Sequence, residues 1–379
     1  MKILCVIDSF GSGGGQRQII NLALGLKNRG HQVEFFIYYP DLDFFRPLVD
    51  NAGIPVHLVQ RSKNGFSFNV CCTLFRLIRR RRFDAVIAFL GAPSIYAELA
   101  KIGAPQTALI VSERGNYQGE KSAAGAILKR ALHVFADKVV ANSHSQAAWL
   151  DRMKWLWGRS CTIYNGIEIG AERTPPSFVG LSDLKIVAVG RVGPEKNVLN
   201  VIQSLIVLHD RYGNTPSIQW VGRRDTSAPG AAFCRKVDDL LLKNPHIATK
   251  WEWLGERKDI PAILTKSHLL IHASFHEGLP NAVCEALAAG RIVLASNVCD
   301  HARLVGNGKW GFLFDPKSPE QIADAIDKAS NLTPSVKQKM SEQARKFAKD
   351  YLSTEVMVDS YMEILQCIVN GKLTQARQW

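Results

Sequence analysis

The chain has 379 residues, 46% of them apolar and 21% charged, and a formal net charge of +13. That length exceeds one ordinary core and predicts two domains of roughly 150 to 200 residues each. Average composition without a low-complexity tract excludes a disordered or fibrous chain, and no stretch approaches the roughly 18 uninterrupted apolar residues of a membrane-crossing helix.

The opening run KILCVIDSF is broken by Asp8 and followed by glycines, which does not fit a secretory signal. With QVEFFIYY it forms a pair of short apolar runs, separated by a helical pattern from Gln16 to Asn28 that Gly30 ends. AVIAFL, ALIVSE and KVVANS follow, with helix-like stretches between them. Near-continuous apolar strands alternating with helices predict a parallel sheet covered on both faces. At Asn165–Gly166 the pattern breaks, and EIGAERTPPSF reads as a linker. The alternation restarts with KIVAVG, SIQWVG, KWEWLG, LLIHAS, RIVLAS and GFLFD, and an amphipathic segment from Thr354 to Cys367 closes the chain.

Each half opens with a strand, a glycine-bearing turn and a helix, which predicts an α/β fold of two Rossmann-like, doubly wound domains in tandem. The active site is expected in the cleft at the carboxyl ends of their sheets. The expected boundaries are 1–165, 166–353, and a segment 354–379 that packs back on the first domain.

The charge is uneven: residues 1–165 hold 21 Lys and Arg against 11 Asp and Glu, and the remainder 26 against 23. In LFRLIRRRRF (Leu74 to Phe83) and WLDRMKWLWGR (Trp149 to Arg159), aromatics and leucines alternate with basic residues as on interfacial helices. Two such stretches in one half point to a membrane surface or anionic lipid. Nucleic acid is set aside, because no zinc-finger spacing, RNP-type motif or basic coiled coil accompanies them. The eight cysteines have no CxxC pair, and Cys5, Cys161 and Cys284 lie in apolar runs, so they read as reduced cytosolic thiols.

GSGGGQ fails the dinucleotide template, because Gln16 stands where the third glycine is needed and Glu34 lies near the start of the second strand instead of its end. Gly13, Gly14 and Gly15 still strip side chains from a helix amino end, where backbone N–H groups can approach a phosphate or sugar. GRVGPEKN places Arg191 just after a strand and Lys196 before the next helix, two cations able to neutralise a diphosphate.

In HEGLPNAVCEALAAG, Pro280 suits the first turn of a helix that Gly290 ends, so Glu277 falls on the preceding loop and Glu285 about a turn and a half inside. The helix amino end at Leu279, Pro280 and Asn281 offers N–H groups to a phosphate. One acid can then take sugar hydroxyls and the other ribose hydroxyls, a division that fits a nucleoside-diphosphate sugar. A metal reading of His272, His276 and Glu277 lacks a third ligand at recognisable spacing. Asp41–Leu42–Asp43 spells D-x-D in the first half, away from the expected donor half, and reads as a solvated loop.

Together, the E-x7-E spacing of EGLPNAVCE, the GRVGPEKN turn, the early glycine loop and the YNGI junction resemble the retaining GT-B glycosyltransferases of the family-4 type, in order and over nearly the whole chain. The resemblance implies an acceptor-binding first domain, a nucleotide-sugar-binding second domain, and no metal or other cofactor. It implies that Arg191 and Lys196 hold the diphosphate, Glu285 the ribose and Glu277 the sugar, with Leu254 and Gly255 bordering the base and Gly14 and Gly15 against the diphosphate or acceptor. SERGNY is similar to a variant in enzymes building bacterial surface glycans and makes Glu113, Arg114 and Asn116 the acceptor-side candidates, Glu113 as a catalytic one. The implied reaction moves a hexose or N-acetylhexosamine, with UDP favoured, onto a lipid-linked saccharide or lipopolysaccharide-type acceptor at the cytoplasmic face of the membrane. A GT-B epimerase or phosphorylase, or a non-catalytic membrane-docked binding protein, would share these features.

Overall fold

A computed structural model describes residues 1–61, 65–114, 130–171, 176–177 and 180–371. The alternating pattern folds into two units, one of Met1–Gly166 joined by the segment from Ser353 on, the other of Ile167–Leu352.

The first unit is built on seven parallel strands: β1 Lys2–Val6, β2 Gln32–Ile37, β3 Val56–Leu58, β4 Ala85–Phe89, β5 Ala108–Glu113, β6 Lys138–Ala141 and β7 Ser160–Thr162, in the order β3-β2-β1-β4-β5-β6-β7. The period-two rule explains its two cores. Ile3 and Cys5 of β1 face the Gly14–Asn28 helix, while Leu4 and Val6 face the Phe68–Arg81 and Gly91–Ile102 helices. The edge strands β3 and β7 escape sequence reading. Each is three residues long and half-buried, too short to show a period.

The second unit has six parallel strands: β8 Lys185–Val189, β9 Ser217–Val221, β10 Trp251–Gly255, β11 Leu269–His272, β12 Ile292–Ser296 and β13 Gly311–Phe314, in the order β10-β9-β8-β11-β12-β13. These are the six runs read from the sequence.

The Thr354–Val369 helix completes the first unit's core: Met357, Val358, Tyr361, Ile364 and Leu365 are buried with Ile19, Leu22, Ala23 and Leu26. Close approach is possible because Gly25 has no side chain; a Cβ there would stand 2.4 Å from Val358 Cγ2. Gln18 grips the Gly166 peptide, donating to its carbonyl at 3.1 Å and accepting from its N–H at 2.8 Å.

Arg114 closes this arrangement. Its guanidinium lies 4.0 Å over the Phe89 ring and donates to Ser112 Oγ at 2.9 Å, to Asn165 Oδ1 and to the Tyr361 hydroxyl at 3.0 Å. Burial opposes a charge there, and these partners offset it. Arg114→Leu, which removes the guanidinium bonds to Ser112, Asn165 and Tyr361 from a buried site, is expected to cost about 2–4 kcal/mol. Chemical denaturation monitored at the first unit checks this, and a cost within about 0.5 kcal/mol of zero contradicts it.

Candidate functional site

In the second unit the strand order reverses between β8 and β11, so the connections leaving these neighbours diverge to opposite faces and open a crevice at their carboxyl ends. Arg191 and Lys196 lie on the connection after β8, and Glu277 on the one after β11. Backbone features fix both. The N–H of Gly190 donates to Val221 O at 2.8 Å, and a Cβ on Gly222 would stand 2.0 Å from Gly190 O, so the two strand ends meet only because glycine is there. Pro194–Lys196 make a short 3-10 turn, after which Asn197 takes a left-handed conformation that asparagine tolerates. Its side chain donates to Ala273 O at 3.1 Å and Pro316 O at 2.6 Å, while Phe275 N donates to Glu195 O at 3.0 Å. The two connections are thus tied together.

Charge pairing follows from this placement. The Lys196 ammonium pairs with Glu277 Oε1, and His272 Nε2 sits 3.1 Å from the same oxygen. Burial alone would raise the Glu277 carboxyl, but the His272 hydrogen bond and the Lys196 charge outweigh it and hold the group well below the usual carboxylate range. Arg191 is half-exposed and lies between two acids, 2.6 Å from Glu195 Oε1 and 3.3 Å from Asp225 Oδ2. The hydrogen bond to Glu195 raises its pKa further. Both cations therefore rest against carboxylates that a stronger anion can displace.

The helix that follows differs slightly from expectation. It spans Asn281–Ala288, and Pro280 caps it with an extended ψ of 108° instead of occupying its first turn. Pro φ fits either position, so only ψ decides. Leu279 is buried beside this end, and the N-cap supplies no side-chain bond to the helix. Glu285 lies inside the helix with 7% of its surface exposed. Leu254 and Gly255 end β10, and Gly255 O accepts from Gly222 N at 2.8 Å, so the three adjoining strands β8, β9 and β10 all give way to or end on glycine at this edge.

The first unit has its own order reversal, between β1 and β4, and the glycine loop lies there. Gly14 and Gly15 are the first two residues of a helix; a Cβ on Gly15 would stand 2.8 Å from Leu90 Cδ2, so packing against Leu90 is one reason for that glycine. The acceptor-side candidate Glu113 is paired inside the first unit. It is buried at the end of β5, 2.9 Å from Arg130 and 3.2 Å from His133 Nε2, while His133 Nδ1 pairs with buried Glu98. Arg114 is spent on the internal contacts above. Asn116 lies outside the described residues. Asp41 and Asp43 sit on an exposed turn, and among the described residues no group of three or more His, Cys, Asp or Glu side chains is arranged to hold a metal ion.

Sequence reasoning missed what His272 and Asp225 do. A signal for the first was present: LLIH ends an apolar central strand on a polar residue. Asp225 gave none, since its approach to Arg191 depends on two connections meeting.

Residues 12–170 match the family described as Glycosyltransferase Family 4, and residues 177–347 that described as Glycosyl transferases group 1. A Campylobacter jejuni relative, the GalNAc-alpha-(1->4)-GalNAc-alpha-(1->3)-diNAcBac-PP-undecaprenol alpha-1,4-N-acetyl-D-galactosaminyltransferase, is 24% identical over 76% of this chain and 77% of its own. An uncharacterized glycosyltransferase of Haemophilus influenzae is 23% identical over 96% of this chain and 99% of its own. The crystal structure of Anabaena HepE in complex with UDP shares the fold, with a TM-score of 0.82 at 20% identity over 97% of this chain and 100% of its own.

The buried network around Glu113 makes stability depend on pH. Burial alone would lower the His133 imidazole, but hydrogen bonds to Glu113 and Glu98 outweigh it and raise the group to about 9. The folded chain then holds this proton more tightly than the unfolded chain, whose histidine titrates near 6.5. The stabilisation is complete below about pH 6.5 and is lost as pH rises through about 9. Urea denaturation at pH 6 and pH 9.5 should show a loss on the order of 2 kcal/mol that His133→Phe lacks. The same pH dependence in both proteins contradicts the assignment.

Proposed function

Because this chain belongs to the family-4 type of GT-B glycosyltransferases, we propose that it transfers a hexose or N-acetylhexosamine from a UDP-sugar to a lipid-linked saccharide in surface-glycan assembly, with retention of anomeric configuration. One observation carries this reading: Lys196 and Arg191 stand at the crossover crevice, each resting against a carboxylate. The reading takes its donor class from the Anabaena protein solved with UDP, and its acceptor class from the diphosphoundecaprenol named for the Campylobacter relative.

As the bond from the anomeric carbon to the diphosphate loosens, negative charge grows on the departing oxygen. Fixed cations stabilise that charge more than they stabilise the intact donor, which is the condition for acceleration. Lys196 and Arg191 exchange their carboxylates for phosphate oxygens, and the N–H groups at the start of the Asn281–Ala288 helix add to the neutralisation. Glu277 accepts hydroxyls of the sugar and Glu285 those of the ribose. Leu254 and Gly255 border the base, and the glycine loop at Gly14 and Gly15 serves the acceptor or the diphosphate. The acceptor hydroxyl enters on the face the diphosphate leaves and passes its proton to the leaving phosphate oxygen. With the positive charge supplied by side chains and backbone, the reading needs no metal.

A membrane surface fits the first unit as the place where a lipid-linked acceptor is met. Along the Phe68–Arg81 helix, Phe68, Cys72, Arg76, Arg79 and Arg80 form one exposed stripe opposite buried Val70, Leu74 and Ile78. No acidic residue lies between Phe66 and Phe83, and of the arginines from Arg76 to Arg82 only Arg81 has an acidic partner among the described residues, Glu34 at 2.9 Å. Phe68 is 78% exposed and Trp157, from the second basic stretch, is 89% exposed. Exposed aromatics beside unpaired arginines suit an anionic interface.

Lys196→Ala and Glu285→Ala are each expected to lower kcat/KM about 100-fold or more while leaving the chain folded. Turnover is read as acceptor-dependent UDP release across a panel of nucleotide sugars, and EDTA should not change it. Wild-type rates in both variants sink the assignment. Release without acceptor points to an epimerase or hydrolytic relative, and no release with any sugar points to a binding protein. Separately, the chain should sediment with vesicles containing anionic phospholipid, reversibly in salt, and not with neutral ones. Removing Arg79 or Arg80 should weaken this about fivefold each. Equal binding to neutral vesicles would refute the surface.

A further inference from the structure

Glu277 is held asymmetrically. Both of its side-chain partners, Lys196 and His272, take Oε1; among the described residues Oε2 has no protein partner. Cys299 clasps the backbone of the same residue, its thiol donating to Glu277 O at 2.7 Å and accepting from Glu277 N at 3.4 Å. The carboxylate is thus pinned by one oxygen, with the other left to a ligand.

Of the two pins, Lys196 is shared and His272 is not. If Lys196 turns to a diphosphate, the imidazole is the one side-chain partner among the described residues that still holds the Glu277 carboxylate. The position of His272 shows that packing does not account for it. It is the last residue of β11, out of phase with Leu269 and Ile271, which enter the core, and it is almost fully buried. An apolar side chain would fill that space without the cost of desolvating a ring nitrogen. What an apolar side chain lacks is an N–H aimed at a carboxylate.

The surroundings hold the ring in that orientation. Ser274 Oγ lies 3.2 Å from the same Nε2, Ser296 Oγ donates to Ser274 O at 2.6 Å, and His301 Nδ1 donates to Ser296 O at 2.7 Å. The His301 ring stands edge-on to His272, 5.3 Å away at 90°. With Nδ1 committed, the His301 Nε2 that remains is buried and has no hydrogen-bond partner among the described residues. Burial lowers both imidazoles, His301 to about 4, so the pair stays neutral and His272 acts as a donor through Nε2–H and not as a second cation.

We propose that His272 is a positioning residue for the sugar subsite: its Nε2–H fixes the Glu277 carboxylate so that Oε2 faces the donor sugar after Lys196 has moved to phosphate. This rests on the reading that the crevice takes a nucleotide sugar. His272 then governs recognition of the sugar and not of the nucleotide, a separation that a merely structural histidine would not produce.

The experiment compares wild type, His272→Leu and His272→Gln, the last placing an amide N–H at similar reach. UDP affinity is measured by calorimetry and kcat/KM by turnover of the UDP-sugar. For His272→Leu the expected result is UDP affinity within about twofold of wild type and kcat/KM lower by about 10- to 100-fold. For His272→Gln most of the loss should be restored. In a Glu277→Gln background, His272→Leu should add little further loss. Unchanged kcat/KM in His272→Leu, parallel loss of UDP affinity and turnover, or fully additive losses overturn the proposal; if the leucine variant does not fold, the glutamine variant and the cycle built on it decide. A wild-type chain that binds neither UDP nor any UDP-sugar overturns the functional reading as well, and that result is seen before any variant is made.

Discussion

The pairing of Lys196 with Glu277 at the β8–β11 crossover is the interaction on which the rest of the site depends. An ammonium and a carboxylate brought into a half-enclosed crevice lose hydration, and each helps to offset that loss for the other. The pair therefore keeps the two connections together while the site is empty. On the proposed reading the pair is also exchangeable, because a diphosphate carries more negative charge than the carboxylate it would replace. Arg191, set between Glu195 and Asp225, repeats the arrangement one strand away.

The fold makes this possible through backbone more than through side chains. Parallel strands send all their carboxyl ends to one edge, and the order reversal leaves a gap at one place on it. Gly190 and Gly222 let neighbouring strand ends touch there, and Asn197 turns the chain into the next helix while bonding two carbonyls across the gap. In the first unit the equivalent gap is filled differently: Gly15 packs on Leu90, and Gln16 donates to Asp8 Oδ1 at 2.9 Å.

Much of this was legible in the sequence, for reasons that can be stated residue by residue. Central strands such as KILCV and IVLAS are apolar on both faces because both are covered, so their runs stand out; β3 and β7 are short edges and do not. The places of Arg191, Lys196 and Glu277 in the fold could be read because each lies at a fixed offset from a strand end or a helix start. For Glu113 and Arg114 the same offset rule gave the strand end but not the internal pairing, because their partners, Arg130, His133 and Tyr361, come from distant segments. Pro280 fell one position from its expected place, since proline satisfies a helix start from either side of the cap. His272 was visible only as a polar residue closing an apolar run, and nothing in the run named its partner.

The return of the Thr354–Val369 helix to the first unit has a consequence for how the chain is made. Residues 167–352 form a contiguous unit whose sheet and core are complete as soon as they leave the ribosome. The unit that begins at Met1 is not complete then: Ile19, Leu22, Ala23 and Leu26 wait with an uncovered apolar face until Met357, Val358, Tyr361 and Leu365 emerge. Of the two units, the one synthesised earlier is the one completed later.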